Sequence, residues 1–169
     1  MSVTYDDILS AQQTQDSVIR KTSLVFSDTF TQLTGSKVYL KNEFEQKTGS
    51  FKLRGAYYKI KTLSEEERKN GIVAASAGNH AQGVAYASAL EKIKCTIVMP
   101  KNASPAKVAA TRGYGATVVL EGKNYEESWA KAQEIAKTTG AEIIHAFDDP
   151  YVIAAQGVIG LEIIEQIPD

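Results

Sequence analysis

The feature that most constrains the fold is an alternation of short apolar segments with longer segments of helical periodicity. Five short segments predict strands, over residues 37–41, 72–75, 96–99, 117–120 and 142–146. Because these segments are apolar without strict polar alternation, we expect both faces of the sheet to be covered. The pattern predicts an α/β fold, an open, mostly parallel, twisted sheet with helices on both faces.

Helices are predicted before, between and after these strands. They cover residues 6–18, 23–33, 50–61, 79–90, 104–112, 124–138 and 150–167. Ser50 and Ser104 are good N-cap residue types, and Pro105 stands at the first helical position, where proline is well tolerated. The last helix has a broad apolar face and is followed by no strand, so we expect the chain to be part of a longer protein.

Composition argues against several classes of protein. A net charge of −1 over 169 residues gives no electrostatic case for binding nucleic acid or an anionic membrane. No segment approaches the ~20 apolar residues that span a bilayer, and no secretory signal precedes the first helix. The single cysteine, Cys95, excludes an internal disulfide and a cysteine-cluster metal site, and we expect it in the core. The default location is cytoplasmic.

The first candidate for chemistry is Lys52, in the segment Thr-Gly-Ser-Phe-Lys-Leu-Arg-Gly-Ala at residues 48–56. A lysine taken alone is most simply a solvated surface charge. Its neighbours favour a functional amine, because Gly49 lets the backbone approach a ligand and Phe51 is an unusual residue for a first helical turn. A lysine amine in such a place can form a Schiff base with a carbonyl compound.

A second polar segment follows the predicted strand at residues 72–75. It consists of Ser76, Ala77, Gly78, Asn79 and His80. Ligands bind where parallel strands end and helices begin, because helix N-termini present unpaired N–H groups to anions. Asn79 can donate and accept hydrogen bonds, and His80 can titrate near neutral pH. The alternative is that this segment only caps the helix; its pairing with Lys52 favours a site.

Three other patterns have simpler explanations. The glycines of Gly113-Tyr114-Gly115 follow a helix and precede a strand, the reverse of the dinucleotide-binding order, so they predict a turn. Helix capping accounts for residues 101–105. His145 has no second histidine or carboxylate at ligand spacing, so no metal site is predicted.

Two long segments carry a resemblance to a known family. Residues 41–56, Lys-Asn-Glu-Phe-Glu-Gln-Lys-Thr-Gly-Ser-Phe-Lys-Leu-Arg-Gly-Ala, and residues 76–83, Ser-Ala-Gly-Asn-His-Ala-Gln-Gly, resemble the threonine dehydratase and serine racemase family. These are pyridoxal-phosphate enzymes of fold type II, the tryptophan-synthase-β fold type. The resemblance extends along the whole chain, with further matches at residues 98–101, 107–111, 114–116 and 148–157.

The resemblance implies roles for the candidate residues. Lys52 would be the Schiff-base lysine, Phe51 would pack near the pyridoxal phosphate ring, and Asn79 would hydrogen-bond its 3′ oxygen. The loop at residues 76–80 would receive the carboxylate of an amino-acid substrate. The implied reaction is an α,β-elimination in which Lys52 takes the α-proton, so that threonine gives 2-oxobutyrate and ammonia, and serine gives pyruvate.

Ala77 is a departure within the family. Serine racemases typically carry a serine at this position, which acts as a base on the opposite face of the substrate. Alanine has no proton to exchange. The sequence therefore resembles dehydratases more than racemases, with a serine racemase-like enzyme as the alternative.

The resemblance also implies an organisation. Residues 53–148 would form a small α/β domain, and residues 1–52 and 149–169 would be parts of a larger cofactor domain. The family's glycine-rich phosphate-binding loop would follow the last helix, so we expect this chain alone to bind the cofactor weakly and to be inactive. A homo-oligomer and a role in amino-acid metabolism, such as isoleucine biosynthesis, are implied as well.

Two readings from other classes stay open. In some relatives nucleotides bind near the positions of Lys47, Thr48 and Gln82, so the chain could be a nucleotide-effector-binding fragment. It could also be a generic nucleotide-binding α/β domain without a pyridoxal site. Calorimetry with AMP and ATP tests the first reading. A yellow absorption that Lys52→Ala abolishes would exclude the second.

Overall fold

The computed structural model describes residues 2–167, which form eight α-helices and six strands. The strands are β1 (Leu24–Phe26), β2 (Tyr39–Lys41), β3 (Ile72–Ala75), β4 (Cys95–Met99), β5 (Thr117–Leu120) and β6 (Glu142–Ile143). The helices are α1 (Tyr5–Gln15), α2 (Asp28–Thr34), α3 (Lys52–Lys61), α4 (Glu65–Asn70), α5 (Asn79–Leu90), α6 (Pro105–Gly113), α7 (Tyr125–Thr139) and α8 (Pro150–Gln166).

The main sheet has four parallel strands in the order β5-β4-β3-β6. The chain runs outward from β3 through β4 to β5, and then returns to the other side of β3 to form β6. This arrangement confirms the predicted α/β class with a mostly parallel sheet. The strand order reverses between β3 and β6, and such reversals leave a crevice at the carboxyl ends of the strands.

Alternate residues of the central strands face opposite sides of the sheet, as strand geometry requires. Ile72 and Ala74 of β3 pack in one apolar cluster with helices α3, α5 and α6. Val73 and Ala75 pack in another cluster with helix α7, which contributes Ala132. Helices therefore cover both faces, which explains why the strand segments are apolar throughout.

The first predicted strand does not belong to the parallel sheet. Strand β2 pairs antiparallel with β1 in a separate two-stranded sheet, so the helix predicted over residues 23–33 is wrong in its first part. Short apolar runs such as residues 24–26 cannot be assigned to helix or strand by periodicity alone. Helix α2 begins later, at Asp28, where the Ser27 side chain accepts a hydrogen bond from the Phe30 amide.

Two further differences concern polar or short elements. Helix α4 was not predicted because none of its six residues is apolar. It forms because Ser64 and Glu67 make a capping box, in which each side chain bonds the backbone N–H of the other. The last strand, predicted over residues 142–146, ends at Ile143, and residues 144–146 continue as a loop beside β3.

Helix α3 is held between two neighbouring helices at glycine positions. A Cβ atom at Gly55 would lie 2.8 Å from Cγ1 of Val152, so α3 and α8 cross closely there. On the other side a Cβ at Gly83 would lie 3.1 Å from the carbonyl carbon of Lys52. Because glycine has no Cβ, both contacts bring helix backbones together, and they fix the position of the helix that carries Lys52.

A buried cluster of ion pairs around Arg54 also holds α3 in place. Arg54 is fully buried and donates two hydrogen bonds to each of Glu43 and Glu162, with distances of 2.7–2.9 Å. Lys41 forms a second buried ion pair with Glu162. Two cations and two carboxylates thus neutralise one another, and they join β2, α3 and α8.

Cys95 lies in the core as predicted, with 7% of its surface exposed. Burial raises the pKa of its thiol to about 11, so it is an unreactive side chain at neutral pH. Across residues 2–167, no helix combines the length and apolar character needed to cross a membrane. The same residues contain no group of three or more His, Cys, Asp or Glu side chains placed to hold a metal ion.

Candidate active site

The candidate residues gather where the order of the parallel strands reverses. The loop at residues 76–78 leaves the carboxyl end of β3, and the loop at residues 144–149 leaves the neighbouring end of β6. Helix α5 starts directly after the first of these loops. Its first N–H groups therefore point into the same crevice in which parallel sheets bind ligands.

Lys52 is the first residue of α3 and is partly buried. Its Nζ atom donates a hydrogen bond of 2.7 Å to the carbonyl oxygen of Ala146, in the loop after β6. Burial lowers the pKa of the Lys52 amine below its usual value, because the charged form loses hydration. A larger fraction of this amine is neutral than of an exposed lysine, and the neutral form is the nucleophile and the base.

Phe51 stands beside this amine as the N-cap residue of α3. The residue is 37% exposed, and the Lys52 Nζ atom lies 4.9 Å from the centroid of its ring. The expectation that Ser50 caps the helix is wrong. Helix α3 begins two residues after Ser50, whose buried hydroxyl has no hydrogen-bond partner among residues 2–167. Phe51 thus offers an exposed aromatic face next to the amine.

His80 is buried, with 4% of its surface exposed, and its Nε2 atom lies 2.9 Å from the carbonyl oxygen of Ile144. A carbonyl oxygen only accepts, so Nε2 carries the proton. Burial lowers the pKa of His80 to about 4, and the positive charge of Lys52 acts in the same direction. The expectation that His80 titrates near neutral pH is therefore wrong, because the ring is removed from water and stays neutral.

The loop before α5 is open and polar. The Ser76 hydroxyl accepts a hydrogen bond of 3.2 Å from the Gly78 amide, whereas Ala77 packs against the core. A Cβ atom at Gly78, the N-cap residue of α5, would meet no atom within 4 Å in the described part of the chain, apart from its two chain neighbours. Asn79 is exposed, and its Oδ1 atom accepts a hydrogen bond of 3.2 Å from Nζ of Lys107. A small anion can therefore reach the first amides of α5.

The side chains of two predicted site residues bond to the same loop, at residues 144–149. Lys52 from α3 and His80 from α5 bond to the carbonyl oxygens of Ala146 and Ile144, two residues apart. These carbonyls were not predicted, although the rule that parallel strands end at one edge could have pointed to the loop after β6. Gly83, which lets α5 approach α3 at Lys52, is visible in sequence only as a glycine within a helical pattern.

The residues considered for a nucleotide effector lie in two different settings. Thr48 and Gln82 are buried, at 6% and 9% exposure, whereas Lys47 is exposed. The Thr48 hydroxyl has no hydrogen-bond partner within residues 2–167. Little of this group is therefore presented to a ligand at the surface.

The residues of the crevice fit an aromatic aldehyde with an anionic ring oxygen. They provide an amine of lowered pKa, an exposed aromatic ring beside it, an exposed amide and a helix N-terminus. Lys52, Phe51 and Asn79 are the residues that would hold such a group. Pyridoxal phosphate has this chemistry, and its aldehyde requires an amine in the neutral form.

Comparisons with known proteins agree with this geometry. The sequence profile described as "Pyridoxal-phosphate dependent enzyme" matches residues 16–169. The chain is 54% identical over 167 residues to a Thermotoga maritima protein named L-threonine ammonia-lyase. The matched region covers 99% of this chain and 42% of that relative. It is 49% identical over 166 residues to the Staphylococcus aureus L-threonine dehydratase catabolic TdcB, with coverage of 98% and 48%.

The fold is shared with solved structures as well. The structure of maize serine racemase superimposes with a TM-score of 0.95 at 34% sequence identity, over 100% of this chain and 51% of that one. The chain thus spans about half the length of the relatives that it matches. Because the family profile covers most of its residues, the chain belongs to the pyridoxal-phosphate-dependent enzyme family.

Proposed function

We propose that this chain carries the reactive lysine and the substrate-carboxylate loop of a pyridoxal-phosphate-dependent ammonia-lyase. The substrate is L-threonine, with L-serine as a second substrate, and the products are 2-oxobutyrate or pyruvate together with ammonia. The names of the two relatives at 54% and 49% identity support this choice. The observation that carries it is the partly buried Lys52 amine of lowered pKa at the reversal of the sheet.

In this proposal three side chains hold the cofactor. Lys52 holds its aldehyde carbon, Phe51 packs on its ring, and Asn79 hydrogen-bonds the ring oxygen. When bound, pyridoxal phosphate supplies an electron sink for the negative charge that develops at the substrate α-carbon. The protein's part is to bring an amine, a carboxylate site and the ring into one geometry.

Lys52 has a second role as the base that takes the α-proton at Nζ. Its lowered pKa favours the neutral amine that can accept a proton, and the Ala146 carbonyl is placed to orient the resulting ammonium. His80 stays neutral at physiological pH and bonds the same loop, so it supports the Ala146 carbonyl without adding a competing charge.

The loop from Ser76 to His80 receives the substrate carboxylate in this proposal. The open space at Gly78 and the first amides of α5 suit a carboxylate, which is an anion with two acceptor oxygens. Ala77 offers no proton on the side of the substrate opposite Lys52. Racemisation needs a proton to be removed on one face of the substrate and returned on the other. Because Ala77 cannot exchange a proton, elimination is favoured over racemisation.

Several features of the complete enzyme are part of the same proposal. Residues 53–148 are a small α/β domain, and residues 1–52 and 149–169 contribute to a larger cofactor domain. In this proposal the phosphate-binding loop lies in the part of the relatives' length that this chain does not cover, so this chain alone binds the cofactor weakly. The enzyme is a cytoplasmic homo-oligomer of amino-acid metabolism, and its 2-oxobutyrate is a precursor for isoleucine biosynthesis.

A chimeric protein tests the function. Residues 2–167 replace the matching half of the Thermotoga maritima relative, which supplies the rest of the fold, and release of 2-oxobutyrate from L-threonine is measured. We expect turnover that Lys52→Ala abolishes, and far lower turnover by the 169-residue chain alone.

Racemisation of L-serine by the same chimera tests the alternative. We expect little D-serine from the chimera and more from its Ala77→Ser variant. A chimera that binds pyridoxal phosphate but racemises serine rapidly and forms no 2-oxo acid would overturn the lyase assignment in favour of a racemase.

A further inference from the structure

We infer that Lys107 is a positioning residue that orients the Asn79 amide, so that the amide NH2 group faces the ring oxygen of the cofactor. The inference rests on the proposed function, because it takes Asn79 as the cofactor's hydrogen-bond partner. It adds a residue from a different helix, α6, to the site.

The contact that carries the inference joins the N-terminal turns of two helices. Nζ of Lys107 lies 3.2 Å from Oδ1 of Asn79, which is the first residue of α5. Lys107 is partly buried and forms no ion pair within the described part of the chain. Its ammonium group therefore donates a hydrogen bond to the Asn79 amide and not to a carboxylate.

The chemistry of the two groups fixes the orientation of the amide. An ammonium group only donates, whereas an amide has one accepting oxygen and one donating nitrogen. The Asn79 oxygen must face Lys107, because the reverse arrangement would place donors against donors. The NH2 group then points away from Lys107, and within residues 2–167 it has no hydrogen-bond acceptor. Two N–H donors thus remain to bond an anionic oxygen of the cofactor.

The turn that carries Lys107 is anchored in the protein. Val108 packs in the main apolar cluster, and Thr111 is fully buried, with its hydroxyl donating a hydrogen bond of 2.9 Å to the Lys107 carbonyl. Helix α5 is anchored in turn at Gly83, against the backbone of Lys52. The helix that begins at Asn79 therefore contacts the helix that bears the reactive amine, and Asn79 itself contacts Lys107.

The positive charge of Lys107 acts in the same direction as the amide. A cation near the ring oxygen favours its anionic form and disfavours a proton on the nitrogen that joins the cofactor to Lys52. Replacement of Lys107 by a neutral residue should therefore raise the pKa of that nitrogen. His80 interacts electrostatically with Lys52 and with His145, and His80 is already neutral above about pH 5 because its pKa lies at about 4.

The first measurement needs no cofactor. The side-chain amide resonances of Asn79 are recorded in the unaltered chain and in the Lys107→Met, Lys107→Arg and Lys69→Met variants. Methionine keeps the length of lysine but cannot donate, arginine keeps the charge and the donors, and Lys69 is an exposed lysine on α4. We expect a shift of the Asn79 NH2 signals in Lys107→Met and near-unaltered signals in the other two variants.

The second measurement follows the visible absorption band of the chimera described above, with pyridoxal phosphate bound, while the pH is changed. We expect the midpoint of this pH titration to move to higher pH in Lys107→Met, and arginine at this position to restore it. The same midpoint in Lys107→Met and in the unaltered chimera would overturn the inference alone, as would unchanged Asn79 resonances in the chain. Absence of any band in the unaltered chimera would overturn the proposed function, and this inference with it.

Discussion

The Lys52 ammonium group donates a hydrogen bond of 2.7 Å to the carbonyl oxygen of Ala146, 94 residues further along the chain. The bond joins the start of helix α3 to the loop that follows strand β6, across the point where the strand order reverses. It gives the amine a fixed direction while burial keeps its pKa low. The hydrogen bond thus fixes the position of the Lys52 amine, and burial lowers its pKa.

The lowered pKa predicts that Lys52 reacts with aldehydes at lower pH than exposed lysines do. The chain is treated with pyridoxal at a series of pH values and reduced with borohydride, and the labelled peptides are quantified. We expect labelling of Lys52 to reach half of its maximum at lower pH than that of Lys69, since burial disfavours the ammonium form. Equal labelling midpoints for the two lysines would show that the Lys52 amine is as well hydrated as the exposed amine of Lys69.

The buried His80 predicts a loss of stability in mild acid. Its pKa is lowered from 6.5 to about 4 in the folded chain. As the pH falls below 6.5, the unfolded chain binds a proton that the folded chain does not, so stability is lost between pH 6.5 and about 4. The expected loss from this group is about 2 kcal/mol between about pH 7 and pH 4.5.

The His80→Gln variant isolates this effect, because glutamine can still donate to the Ile144 carbonyl but does not titrate. Urea unfolding of both proteins is measured at the two pH values. We expect the free energy of unfolding to fall by about 2 kcal/mol less in the variant. The same pH dependence in both proteins would assign the acid sensitivity to other groups.

The Gly83→Ala substitution should separate helices α3 and α5 at the active lysine. The added methyl group would lie 3.1 Å from the Lys52 carbonyl carbon and the Leu53 nitrogen, and backbone atoms cannot rotate away. We expect a loss of about 1 to 3 kcal/mol in the free energy of unfolding and slower labelling of Lys52 by pyridoxal.

Gly160→Ala is the matched control, because a Cβ at that position of helix α8 would meet no atom within 4 Å among residues 2–167, apart from its chain neighbours and the backbone of its own helix. Alanine there should stabilise the helix by up to about 1 kcal/mol. If the two substitutions have equal effects, the close approach of α5 to Lys52 does not exist.

The Arg54→Met substitution should destabilise the fold strongly. It would leave the carboxylates of Glu43 and Glu162 buried without the guanidinium that pairs them. We expect a loss of about 3 to 5 kcal/mol in urea unfolding, since a single partner is removed from a buried ion pair. Arg54→Lys keeps the charge without the forked geometry of the guanidinium. Its free energy of unfolding should lie between those of the unaltered chain and of Arg54→Met.

The exposed pair of Lys21 and Glu165 provides the comparison. Both side chains are about half exposed, and Lys21→Met should cost less than about 1 kcal/mol. A similar small cost for Arg54→Met would show that the cluster behind α3 contributes as little as a surface ion pair.

The central part of the fold follows from the sequence. Strand β5 and helix α5 have the predicted bounds, and β3 has them as well, because glycine or polar residues lie at or next to the ends of these segments. Residues 24–26 and helix α4 could not be assigned in the same way. The first is too short to show a period, and the second is stabilised by its capping box rather than by an apolar face.

The site could be predicted only in part. The neighbours of Lys52 and the loop at residues 76–80 indicate a reactive amine and an anion site from the sequence alone. The low pKa of His80 could not be foreseen, since it depends on burial and on the nearby charge of Lys52 in the folded chain. Together these outweigh the hydrogen bond to the Ile144 carbonyl, 64 residues away, which acts in the opposite direction. The contact of Lys107 with Asn79 likewise depends on how two helices pack.

The central claim is that Lys52 is the residue to which pyridoxal phosphate bonds. The most direct measurement is reduction of the chain with borohydride in the presence of pyridoxal phosphate, followed by mass spectrometry of its peptides. We expect the cofactor mass on Lys52, together with a visible absorption band that Lys52→Ala abolishes and Lys69→Ala leaves unchanged. Labels spread over the exposed lysines, with a band that survives Lys52→Ala, would contradict the claim.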